Sequence, residues 1–198
     1  MKKVAFYGGT FDPPHIGHVS AARAFAGYTG ADMLYIIPNY IPPLKDGCRP
    51  ASADDRLAMA SLAFGGEKTV ISDYEIKNGG VSYTFMTAEH FASLHPGAQL
   101  FMLVGTDQLL QLEKWKEPRR LLETVTVCVA LRAAEEERAA REKADMLHGV
   151  FGARVLFVPC DPVTVSSTEI RALLREGRGA EYLPEAVYEY IIEKGLYR

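Results

Sequence analysis

Cysteine is scarce in this chain and poorly placed for pairing. Cys48, Cys128 and Cys160 are odd in number and far apart in the sequence. A disulfide framework and a C-x-x-C metal site are thereby disfavoured, and a reducing compartment is expected. No apolar run approaches the roughly 20 residues that a membrane-spanning helix requires. Strand-like sequence already begins at Lys3, which leaves no space for a secretory leader. A cytoplasmic protein with no membrane partner is the expectation. Basic excess is also missing. The formal net charge is −3, so composition gives no reason to expect a nucleic-acid partner, although a local basic groove for one small anion stays open. Two familiar phosphate fingerprints are absent as well. The first strand is not followed by Gly-x-Gly-x-x-Gly, nor by Gly-Lys-Ser/Thr. Any phosphate site here is of another kind.

What the chain does have is a repeating alternation of short apolar runs and helical stretches. Lys3–Tyr7, Asp32–Pro38, Thr69–Ile76, Gln99–Val104, Thr124–Leu131 and Arg154–Pro159 read as strands. Between and after them, helices are expected near Val19–Ala26, Ala53–Phe64, Thr84–Leu94, Gln108–Leu112, Arg132–His148, Ser167–Glu176 and Pro184–Lys194. The Arg132–His148 stretch is heavily charged and shows little apolar face, so a solvated helix is expected there. Repeated βα units imply an α/β fold, a Rossmann-like doubly wound parallel sheet with helices on both faces. With 198 residues, one domain spanning 1–198 is expected, with a C-terminal helical part from about 166 to 198. Ligands in such sheets bind beyond the carboxyl ends of the strands. Gly8, Pro38, Gly105 and Pro159 mark such ends.

The polar motifs cluster just after those ends. Gly8-Gly9-Thr10-Phe11-Asp12-Pro13-Pro14-His15-Ile16-Gly17-His18 lies on a strand-to-helix turn, where backbone N–H groups can face an anion. Gly8 and Gly9 remove Cβ atoms from that approach. His15 and His18 are three apart and share a helix face, placed to stabilise charge on a phosphoryl group in transfer. Val165-Ser166-Ser167-Thr168-Glu169-Ile170-Arg171 is the second element. Its serines suit an N-cap, and Arg171 sits one turn in, where a guanidinium can fork onto phosphate oxygens. Capping and phosphate binding are compatible, and both remain open for this element. The third element is Phe101–Asp107, a strand ending in Gly105-Thr106-Asp107, which puts a carboxylate at the sheet edge within reach of a ribose diol. Trp115 follows among Glu113, Lys114 and Lys116, a charged neighbourhood that favours a stacking platform over deep core. The fourth is Ser72-Asp73-Tyr74-Glu75 with Ser82-Tyr83-Thr84 ahead of a helix, hydroxyls suited to a carboxylate or amide.

The first motif resembles the signature of the nucleotidylyltransferase superfamily, whose H-x-G-H element is shared with class I aminoacyl-tRNA synthetases. The order G-G-T-F-D-P-x-H-x-G-H, P-x-x-x-P-P-x-K, S-D-x-E, S-Y-T, G-x-D, W, S-S-T-x-I-R, then Tyr182-Leu183-Pro184, Tyr190-Ile191 and Leu196-Tyr197, covers nearly the whole chain. In that order it is similar to the bacterial nicotinate-nucleotide adenylyltransferases. The resemblance implies ATP and nicotinate mononucleotide as substrates, deamido-NAD and pyrophosphate as products, and a Mg²⁺ ion carried with ATP rather than held in a protein cage. By the same resemblance Gly8, Gly9, Thr10, Phe11, His15, His18, Gly105, Asp107, Ser166, Ser167 and Arg171 would meet ATP. His15, His18 and Arg171 would carry catalysis. Lys45, Ser82, Tyr83, Thr84, Trp115 and Lys116 would meet the mononucleotide, with Trp115 stacked on the pyridine ring.

Two positions depart from the family pattern. Leu44 stands where P-P-H-K has a histidine, and Lys116 stands where an aromatic is frequent after the tryptophan. Two competing functions are a phosphopantetheine adenylyltransferase, which the S-Y-T, Trp115 and Tyr182-Leu183-Pro184 features do not fit, and a nucleotide-binding regulator without catalysis, which the intact His15, His18 and Arg171 disfavour. A homo-oligomer is left open.

Overall fold

The computed structural model describes residues 1–40, 50–131, 136–160 and 165–198. Its centre is a six-stranded sheet: β1 (Lys3–Gly9), β2 (Met33–Pro38), β3 (Thr69–Ile71), β4 (Gln99–Gly105), β5 (Thr126–Ala130) and β6 (Arg154–Val158). The spatial order is β3-β2-β1-β4-β5-β6, and every neighbouring pair is parallel. Strand order reverses between β1 and β4, the switch point at which doubly wound sheets open a crevice at their carboxyl edge. Gly9, Pro38 and Gly105 all end there.

Period-two alternation divides the core between the two faces of the sheet. Val4 and Phe6, Leu100, Met102 and Val104, and Val127 and Val129 point to one face. There they meet Ala88 and Phe91 of α4 (Thr84–Leu94), Leu121 and Leu122 of α6 (Pro118–Thr124), and Ala140 and Leu147 of α7 (Glu137–Phe151). Ala5, Phe101, Leu103, Cys128 and Ala130 point to the other. They meet Val19, Ala22 and Phe25 of α1 (Ile16–Thr29), Met59 and Ala60 of α2 (Ala53–Ala63), Ile170 of α8 (Ser167–Arg175), and Val187 and Ile191 of α9 (Glu185–Lys194). The C-terminal helices therefore share a cluster with the first βα unit. No helix among the described residues is long and apolar enough to cross a membrane.

The structure departs from expectation in four places. The strand expected over Thr69–Ile76 ends at Ile71, and α3 (Tyr74–Asn78) follows. The Ser72 hydroxyl accepts from the Tyr74 N–H at 3.3 Å, and this local turn diverts the backbone from the ladder before Ile76. The short helix α6 was not expected. Pro118 at its first turn starts it, where a missing N–H costs nothing. The charged helix α7 does carry an apolar stripe, because Ala140, Ala144 and Leu147 fall at helical spacing and are buried. Residues 132–135, the start of the expected charged helix, lie outside the described residues, as does nearly all of the Pro-rich segment. The helix expected near Gln108–Leu112 is split into α5 (Thr106–Leu109) and a 3₁₀ turn at Leu112–Lys114.

Candidate active site

The G-G-T-F-D-P-P-H loop leaves β1 and enters α1. His15 is the N-cap of that helix, with extended backbone (φ −133°, ψ 172°) and a buried ring. Its Nδ1 accepts from the Gly17 N–H at 3.1 Å, while the His15 N–H donates to His18 Nδ1 at 3.2 Å. The two histidines thus build a reciprocal capping box, with imidazole nitrogens in the places usually taken by Ser and Glu. Their ring centroids lie 3.7 Å apart. An Nδ1 that accepts a backbone N–H carries no proton. Each neutral ring is therefore fixed as the Nε2–H tautomer, with its donor on the side away from the helix backbone. Helix capping and donor presentation are one arrangement, not alternatives.

Phe11 has φ +50° and its ring is buried, edge-on to Tyr7, His18 and Phe64 at 5.3 Å in each case. Its side chain anchors the loop in the core. A Cβ on Gly9 would fall 2.9 Å from that ring, so Gly9 is required by Phe11. Gly8 differs. The nearest atom to a Cβ there is the Ile37 carbonyl at 4.0 Å, so the space over Gly8 is open. Thr10 accepts from Asn39 Nδ2 at 3.4 Å, and the Asn39 Oδ1 is buried with no partner among the described residues.

The S-S-T-x-I-R element is stitched directly to this loop. Ser166 and Glu169 form a capping box on α8. The Glu169 carboxylate accepts the Ser166 N–H at 2.8 Å and its hydroxyl at 2.7 Å, and these bonds hold it below the usual carboxylate range. The Ser167 hydroxyl donates to the Pro13 carbonyl at 3.0 Å. Arg171 Nη1 donates to the Asp12 carbonyl at 2.7 Å and lies 3.5 Å from the Asp12 carboxylate, and Nη2 donates to Thr168 Oγ1 at 3.1 Å. Arg171 is brought to the loop, and its guanidinium is engaged there in holding the Asp12 backbone.

Two buried charges were not singled out from the sequence. Asp12 accepts from the Ala51 N–H at 3.1 Å and the Tyr197 hydroxyl at 2.6 Å, both on Oδ1. Arg56 is 1% exposed and donates to three carbonyls, Thr10 at 3.0 Å, Ala51 at 3.2 Å and Tyr40 at 3.4 Å. Burial lowers its pKa, and the Asp12 charge opposes that shift. An arginine three and four positions before Met59 and Ala60 on a helix, and so on their face, was the available signal, since burial of that type demands partners.

The other residues expected at the site lie around the start of α4 and after β4. Asp107 is exposed in the first turn after Gly105 and accepts from the Gln108 side chain at 3.2 Å. Ser82 accepts the Tyr40 N–H at 3.0 Å. Tyr83 and Thr84 open α4, and Tyr83 gives it no side-chain cap. Beneath them Glu75 is buried, accepts the Thr87 hydroxyl at 2.6 Å, and is bonded to Ser82. Trp115 is half-buried against the core, with its Nε1–H buried and without a partner among the described residues, and Lys116 is exposed. Lys45 lies outside the described residues, as does Leu44.

Residues 6–173 match the family model described as cytidylyltransferase-like, which fixes the class as a nucleotidyltransferase fold. A probable nicotinate-nucleotide adenylyltransferase of Neisseria meningitidis is 39% identical over 100% of this chain and 99% of its own length. One from Halalkalibacterium halodurans is 36% identical over 100% of this chain and 92% of its own length. The chain belongs to the nicotinate-nucleotide adenylyltransferase family. The fold is shared with a Plasmodium falciparum nicotinic acid mononucleotide adenylyltransferase, solved in complex with NaAD. That structure has TM-score 0.80 and 17% identity, with 100% of this chain and 98% of the other covered.

Proposed function

We propose that this protein transfers the adenylyl group of ATP to nicotinate mononucleotide, releasing pyrophosphate and forming deamido-NAD. The observation that carries the reading is the pair of adjacent imidazoles at the α1 N-terminus, 3.7 Å apart and tilted by 35°, each accepting a backbone N–H at Nδ1 and so carrying its proton on Nε2. The full-length relatives support it. The mononucleotide phosphate attacks the α-phosphorus in line. A new P–O bond forms there, and the bond to the β-phosphate oxygen breaks. That nucleophile is already ionised at neutral pH, so no strong base is needed. Catalysis rests on positioning and on donors aimed at the developing charge. His15 and His18, the remaining donors of Arg171 and the α1 N-terminus face the phosphates.

Magnesium, when bound with the triphosphate, supplies charge neutralisation on the leaving pyrophosphate. Among the described residues no three His, Cys, Asp or Glu side chains are grouped to hold a metal, so phosphate oxygens would be its main ligands. The start of α4 with Ser82, Tyr83 and Thr84 would receive the pyridine carboxylate, Lys116 would add charge, and Trp115 would stack on the ring. Asp107 would take a ribose.

The test is pyrophosphate release from ATP with nicotinate mononucleotide, its amide, and phosphopantetheine in parallel. The acid is expected to exceed the amide by at least about tenfold in kcat/KM, the scale of one charge-assisted contact. Equal rates for acid and amide would reject the recognition site, and release with phosphopantetheine alone would reject the substrate.

A further inference from the structure

We propose that Tyr197 is a positioning residue. Through Asp12 it sets the conformation of the loop that carries His15. For its effect on rate this rests on the adenylyl-transfer reading above. The Tyr197 hydroxyl donates to Asp12 Oδ1 at 2.6 Å across 185 positions of sequence. Asp12 is 5% exposed and stands three residues before the His15 cap.

The C-terminal turn is shaped to deliver that phenol. Gly195 ends α9 in the left-handed region, and the Leu196 N–H donates back to the Ile191 carbonyl at 3.0 Å. This is the closing bond of a Schellman turn. Tyr197 itself has φ +62°, an uncommon conformation for a bulky residue, and in it the ring points inward. Arg198, one residue on, turns outward and donates to the Ile192 carbonyl at 3.2 Å. Strain at one residue, with an inward phenol on a buried carboxylate, marks Tyr197 as more than a trailing end.

The carboxylate is a hub. Its Oδ1 takes the Ala51 N–H and the phenol, and Arg171 faces Oδ2 at 3.5 Å while donating to the Asp12 carbonyl. Burial, reinforced by Asp12, raises the Tyr197 pKa far above neutrality, so the phenol stays a donor throughout any assay range. Without the hydroxyl, Oδ1 keeps a single donor. A buried carboxylate that loses a donor reorients to recover one. Both the Asp12 carbonyl held by Arg171 and the His15 cap lie on that same short loop.

The test is Tyr197→Phe, which removes one oxygen and keeps the ring, compared with Arg198→Ala. The ring nitrogens of the histidines are followed by ¹⁵N–¹H correlation, alongside kcat and KM. Tyr197→Phe is expected to move the His15 and His18 resonances away from a pure Nε2–H pattern while those of His90, His95 and His148 stay in place. It is expected to lower kcat roughly tenfold, the scale of a buried bond to a charged group, with the mononucleotide KM within about twofold. Arg198→Ala should leave all of these unchanged. Unmoved His15 and His18 resonances with wild-type kcat would overturn the proposal. A lowered melting temperature with unmoved resonances would overturn it too, because the phenol would then only staple the terminus. If the wild-type protein released no pyrophosphate, adenylyl transfer would fall while the resonance comparison still decided the brace.

Discussion

His18 has two separable duties, and two substitutions divide them. Its Nδ1 accepts the His15 N–H at 3.2 Å, which is the capping bond, and its tautomer leaves Nε2–H as the donor for chemistry. His18→Ala removes both. Loss of a helix cap costs about 1 kcal/mol, which in a chain of this size lowers Tm by about 2–4 °C. Loss of a preorganised donor to developing charge costs about 10²–10³ in kcat, or about 2.7–4 kcal/mol. His18→Gln keeps an acceptor at the third helical position, where glutamine completes a capping box, but offers no imidazole. Its Tm should return to near wild type while kcat stays depressed by the same factor. Calorimetry and a pyrophosphate-release assay at saturating substrates measure the two effects. A His18→Gln enzyme with near-normal kcat would refute the chemical role and leave only the cap. An unchanged Tm in His18→Ala would refute the box.

Three further outcomes are expected. Arg171→Lys keeps charge but loses the planar fork, so kcat/KM should fall at least about tenfold with the circular dichroism spectrum intact; an unchanged kcat/KM would reduce Arg171 to a brace for Asp12. Arg56→Met strips donors from three carbonyls and a countercharge from buried Asp12, so unfolding should be easier by about 3–5 kcal/mol and Tm lower by about 10 °C; a Tm within a degree of wild type would show the charge to be dispensable. Burial raises the Glu75 carboxyl above its ordinary 4.5, so the folded chain keeps a proton that the unfolded chain releases, and stability drains away as pH rises through that interval. Glu75→Gln removes this titration, so urea unfolding should show the variant gaining on wild type as pH rises above the ordinary carboxyl value; parallel curves would contradict the linkage.

Much of the fold was legible because local rules and tertiary demand agree. Alternating apolar runs in Lys3–Tyr7 and Gln99–Val104 are buried on both sides of a sheet, and they form strands wherever the chain lies. Ser166 with Glu169 announces an N-cap through neighbours three apart. Thr69–Ile76 misled because Ile76 continues the apolar alternation while Ser72 and Asp73 break the backbone ladder, and side-chain period alone does not register a local turn. The H-x-G-H spacing likewise placed two imidazoles on one face but could not say that each would cap the other. Nor could any local pattern reveal that Tyr197 reaches Asp12, that Ser167 holds Pro13, or that Arg56 spans three separate carbonyls. Those contacts join residues up to 185 positions apart, and even the nearer ones depend on carbonyls that only the folded backbone aims. Sequence by itself determined which residue types stand at the carboxyl edge of a parallel sheet. Tertiary structure alone decided which of them are spent on holding the loop. Buried donors and acceptors must be paired somewhere, and the partner is whatever the packed chain brings within about 3 Å.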